Sequence, residues 1–141
     1  MSNLLYILII LGFSFTTPVV TSASTQDSLS TPESIDKAVQ ILFDMIPNKE
    51  IAIIRRTTEE EFSVNALSTL GVFMKEEWEL YSQQQPLTRF FLQNEIYNPD
   101  EMAEIILICF WRHINGKPMN VDRLILQRMR YWDGIRTIDE P

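Results

Sequence analysis

Cysteine, histidine and glycine are scarce in this sequence. One cysteine (Cys109) excludes any intrachain disulfide, and one histidine (His113) leaves metal and triad chemistry short of ligands and bases. With four glycines there is no phosphate-cradling loop, dinucleotide fingerprint or serine-hydrolase elbow, and no helical zinc motif occurs. No stretch alternates apolar and polar residues as a half-buried strand does, and no internal repeat is visible. Basic residues are also few, 12 against 19 acidic. That balance excludes the basic footprint of a nucleic-acid-binding domain. No cofactor, metal site or catalytic set is expected.

Residues 1–23 lack charged side chains altogether. Leu4 to Phe15 is apolar apart from Gly12 and Ser14, and small polar residues follow around Pro18 up to Thr21-Ser22-Ala23. This is the layout of a cleaved secretory signal peptide, although no Lys or Arg precedes the apolar run. The expectation is export to the periplasm or medium. An uncleaved N-terminal membrane anchor is the alternative, since the apolar run approaches the ~20 residues of a span. With the leader removed, no membrane span is expected. A Ser/Thr-rich linker (24–30), one domain (31–135) and a short tail (136–141) complete the division.

Helical signals fill the domain. Thr31-Pro32-Glu33 reads as a helix start, followed by Ile35, Ala38, Val39, Leu42 and Ile46 at helical spacing up to Pro47. A short segment from Asn48 carries Ile51, Ile53 and Ile54. Thr58 to Glu61 is a capping box that opens a run through Phe62, Ala66, Leu67 and Leu70, where Gly71 either breaks the helix or permits close packing. Val72 to Tyr81 continues it, and Pro86 opens a further helix with Leu87, Phe90 and Phe91.

The clearest segment is Asn98 to Lys117. Asn98 caps it, Pro99 suits the first helical position, Glu101 completes a capping-box-like pattern, and Gly116 with Pro118 ends it. Its body is apolar nearly all round, which marks a central helix wrapped by others. Asn120 is expected to cap a last helix with Val121, Leu124, Ile125, Met129 and Trp132 facing inward. The expectation is an all-α domain of five to seven helices around a central helix near 99–115.

Charge is unevenly spread. Residues 24–111 hold 15 acidic and 6 basic side chains, and residues 112–136 hold two acidic and six basic ones. Two readings compete: internal complementarity, with the basic last helix on acidic neighbours, or a basic patch for an acidic partner.

From Leu70 the residues L-G-V-F-M-K-E-E-W-E-L-Y, then Leu87 and Phe91, then P-D-E-M-A-E-I-I-L and R-H-I-N-G-K form a combined pattern. It resembles a bacterial family of small domains, frequent in Bacteroidetes-like genomes, that has no assigned function and often follows a signal peptide. The likeness runs from about Thr31 to Trp132 and implies a helical fold without implying an activity. Glu76 and Glu77 stand where that family has two asparagines, Lys75 replaces an arginine, and Asn98 stands where histidine is frequent.

Chemistry is sparse on this scaffold. Cys109 and His113 share a helix face, but the apolar stripe around the thiol argues for an inert core residue. Trp78, set in K-E-E-W-E, is expected as an exposed partner-binding anchor beside Glu76 and Glu77. Arg112 and Lys117 are cations at the negative end of the central helix; the plain reading is capping and cross-helix pairing with Glu76 or Glu77, and the alternative, anion or partner binding, adds them to this set. Together they suggest a non-enzymatic domain that binds a protein or envelope component. The alternative is a small hydrolase-like enzyme in which Asp100, Glu104, Glu76 and Glu77 converge in one cleft.

Overall fold

The structure, a computed structural model, describes residues 31–136. The expected leader and linker, and the tail apart from Arg136, lie outside the described residues. Six helices follow one another: α1 (Ile35–Met45), α2 (Asn48–Ile54), α3 (Glu59–Ala66 and Val72–Glu77, joined through a π-helical turn, Leu67–Gly71), α4 (Pro86–Gln93), α5 (Pro99–Ile114) and α6 (Val121–Arg136). No strand occurs among the described residues, so the fold is all-α.

Local signals account for most boundaries. The α1 cap is Ser34, whose hydroxyl accepts from the Lys37 amide at 3.2 Å, so the helix begins later than the Thr31-Pro32-Glu33 signal suggests. Pro32 is buried, which makes those residues a pinned lead-in and not a first turn. Thr58 and Glu61 form the expected capping box, with reciprocal bonds of 3.2 and 3.0 Å. Thr58 donates from both its amide and its hydroxyl and holds the Glu61 carboxyl below its ordinary range.

Gly71 does not break α3. The flanking residues keep right-handed helical dihedrals, and the chain continues through a wider π turn. A Cβ on Gly71 would lie 2.9 Å from Leu67 Cδ1, so the glycine makes room for the turn's own side chain.

Three helices end in the same way. After α5, Gly116 adopts φ +67°, the Lys117 amide donates to the Arg112 carbonyl at 2.8 Å, and the Gly116 amide donates to His113 at 3.1 Å. This is the Schellman arrangement. After α3 and α4 the left-handed residue is a glutamate: Glu79 at φ 48° and Glu95 at φ 59°. The following residues, Leu80 and Ile96, donate back to Lys75 and Phe91 at 3.2 and 3.0 Å and are buried. Burial of that apolar residue holds each turn closed, at the cost of placing a Cβ where glycine is preferred.

Helix α5 is the hub, packing on α1, on all three stretches of α3 and on α6. Met102, Ala103, Ile105, Ile106, Leu107, Cys109, Phe110, Trp111 and Ile114 are buried, so the central-helix expectation holds. Each aliphatic side chain buried this way contributes about 1.5–3 kcal/mol. None of the described helices is long and apolar enough to cross a membrane.

Candidate functional site

The face expected to recognise a partner is not assembled. Trp78 is only 1% exposed and packs edge-on to Phe73, with ring centroids 6.0 Å apart. The expectation of an exposed anchor is therefore corrected. Trp78 lies one and two helical steps beyond Met74 and Leu70, and all three are buried along one face of α3. Its charged sequence neighbours point elsewhere: Glu76 and Glu77 are exposed, while Lys75 binds Asp100 on α5. That bond raises the Lys75 pKa.

Arg112 is likewise committed, and not to Glu76 or Glu77. Its guanidinium grips Glu59 through two 2.8 Å bonds from Nε and Nη2, and Nη1 donates to the Met119 carbonyl at 2.7 Å. The pair raises the Arg112 pKa. One arginine thus ties the start of α3 to the segment leading into α6. Lys117 stays exposed, with Nζ 4.4 Å from the centre of the Trp111 ring. Arg55 donates to the Ile114 carbonyl at 2.9 Å and satisfies the end of α5.

The carboxylates meant for a common cleft diverge. Asp100 turns to Lys75 on α3, and Glu104 accepts from Arg128 on α6 at 2.6 Å. Glu76 lines a separate open depression with Lys75, Glu79, Tyr81 and Ser82. Cys109 and His113 also part company. The thiol is fully buried, and burial pushes its pKa up to about 12, whereas His113 is exposed and packs edge-on to Phe43. Among the described residues no group of three or more His, Cys, Asp or Glu could hold a metal ion.

A different site emerges where the α4–α5 turn faces α6. Glu95, Tyr97, Asn98, Glu101, Met129 and Trp132 line a cleft of about 330 Å³. The left-handed turn at Glu95 carries the chain across the end of α4, which leaves Tyr97 68% exposed. Asn98 caps α5 by accepting from the Asp100 amide at 2.9 Å. Glu101 does not close a capping box. Its carboxylate instead accepts the Trp132 indole N–H at 2.7 Å, and Arg128 Nε lies 3.9 Å away.

Trp132, expected to face inward, is therefore a wall of the cleft and is 40% exposed. Its polar edge holds it to α5 and its ring lies edge-on to Tyr131, with centroids 5.5 Å apart, while part of the ring meets solvent, a common use of tryptophan. Sequence reasoning missed the cleft because its parts come from a turn, a helix start and a helix end. One signal was present: Glu95-Ile96-Tyr97 puts an acid and an aromatic beside a helix cap.

The basic last segment does pack on acids. Arg112–Glu59 and Arg128–Glu104 realise the internal complementarity, each pair crossing between helices. No curated protein and no solved structure matches the chain. A family model does match, over residues 31–114, from the lead-in of α1 to the last residue of α5. The chain belongs to that family, which is described as a domain of unknown function (DUF6794).

Proposed function

We propose that this chain is an exported, non-enzymatic binding module for a protein or envelope component, and that its recognition surface is the cleft between the α4–α5 turn and α6. Export rests on the leader-like residues 1–23. The binding role rests on one observation above all: two exposed aromatic residues, Tyr97 and Trp132, share a concave site with two carboxylates, Glu95 and Glu101. Surface aromatics beside convergent polar groups mark recognition sites; Tyr81 and Tyr131 are exposed as well, but neither lines this cleft.

Fluorescence tests the reading, because Trp132 is the exposed tryptophan while Trp78 and Trp111 are buried. Envelope extract from the native host, separated into lipid, protein and small-molecule fractions, is titrated into the purified protein. A fraction that changes the emission of the wild type but not of Tyr97→Ala, with equal melting of the two proteins, supports the cleft. Equal responses from both proteins place recognition elsewhere. The mass of the protein recovered from the host checks export, with a chain starting at Ser24 as the expected product.

A further inference from the structure

We propose that the cleft takes a compact organic cation, an N-methylated ammonium group, an inference that rests on the cleft being the recognition surface. Charge gives the sign. Among the described residues Glu95 and Glu101 line the cleft and no basic residue does; Arg128, in the neighbouring depression, keeps its Nε 3.9 Å from Glu101 Oε1, so Glu95 supplies the uncompensated charge. An anion would meet two carboxylates there.

Acceptor bookkeeping narrows the class. A primary ammonium or guanidinium draws its stability from several directed acceptors, of which Asn98 Oδ1 and Glu101 Oε1 already hold the Asp100 amide and the Trp132 indole, leaving mainly the Glu95 carboxylate. A bare metal ion needs more ligands than two carboxylates, one already hydrogen-bonded. A methylated ammonium needs no acceptor. It is stabilised by negative potential and by aromatic rings, and Tyr97 and Trp132 supply the rings. Met129 adds a soft, polarisable contact for the methyl groups.

The backbone is consistent with this. Glu95 occupies a left-handed position where glycine would be less strained, and it lines the cleft from there.

The test titrates the purified protein with choline, tetramethylammonium and 3,3-dimethylbutan-1-ol, the uncharged isostere of choline, at constant ionic strength. The readout is the Trp132 indole N–H resonance with the backbone amides of Glu95 and Tyr97. Saturable shifts with both cations are expected, with the neutral isostere at least about tenfold weaker. Glu95→Gln and Tyr97→Ala should each weaken choline several-fold without changing the melting temperature. Phosphatidylcholine and phosphatidylglycerol vesicles then separate the sources. Sedimentation with the former alone, reversed by choline, assigns a lipid headgroup, and choline binding without sedimentation assigns a free small molecule.

An isostere that binds as well as choline, or a Glu95→Gln protein that binds unchanged, overturns the cation and leaves the cleft standing. Absence of any cation shift, while extract fractions still move Trp132, also defeats only the cation. Silence in both experiments defeats the cleft as well.

Discussion

Helices α1, α3 and α5 on one side and α6 on the other are held in place by different physics. The first three close around Leu42, Phe62, Leu70, Met74, Ile106 and Phe110, all essentially free of solvent. Helix α6 buries Leu124 and Ile125 but leaves Leu126, Tyr131 and Trp132 exposed. To that smaller apolar contact it adds polar ties: Arg128 to Glu104, Trp132 to Glu101, and Arg112 to the Met119 carbonyl just before it. Apolar packing is collective and resists local opening, whereas a helix held by a few partly solvated bonds can open on its own. The family match divides the chain at the same place, ending at the last residue of α5. The proposed recognition cleft, walled by α6, therefore draws one side from the firm part of the molecule and the other from the part most easily moved.

The sharpest way to break the comparison is at its centre. Ile106→Asp buries an unpaired charge where no solvent reaches, and the domain should lose more than about 5 kcal/mol, enough to unfold it. Circular dichroism shows this directly; a soluble variant with a cooperative melt would mean α5 is not the hub.

Cys109 probes the same region through pH. Its folded pKa is raised to about 12 from 9.0 by burial, because the thiolate is penalised there. The unfolded chain therefore deprotonates first. Stability from this group is fully present below pH 9 and is lost between 9 and 12, at about 1.4 kcal/mol per pH unit. The steeper alkaline loss of the wild type relative to Cys109→Ala, followed by denaturant melts, measures it.

What could be read from the residues follows the same divide. Asn98-Pro99, Thr58–Glu61 and Gly116 are local signals, and each does what its chemistry suggests within a turn of chain. The central helix is legible because its apolar residues cover nearly its whole circumference. Trp78 was misplaced by its charged neighbours, although its four-residue spacing from Met74 and Leu70 carries the burial signal. The partner of Arg112 was not legible, since Glu59 lies 53 residues away and only packing brings them together. Nor was the cleft, whose two glutamates and two aromatics meet through a left-handed glutamate that no propensity favours.

A smaller effect sharpens the contrast at α6. Arg128→Ala removes the tie to half-buried Glu104 and takes the nearby cation from Glu101, which is buried but keeps its bond from the Trp132 indole. Global stability should fall by only about 1 kcal/mol. Amide hydrogen exchange should rise throughout α6 while the centre of α5 stays protected. Equal acceleration in both helices would show that α6 is part of the same cooperative unit.

The least disruptive change bears on the site itself. Glu95→Gly relieves a side chain held at φ 59° and should stabilise the protein by about 0.5–1 kcal/mol, seen as a higher melting temperature. Glu79→Gly should give less, because the Glu79 carboxylate accepts from Gln85 and that bond would be lost. Glu95 makes no comparable bond, and it lines the cleft. The Glu95→Gly protein should therefore be the more stable and the poorer binder of choline. A gain in stability with binding unchanged would mean that the strained glutamate contributes nothing to recognition, and the cleft's charge would then rest on Glu101 alone.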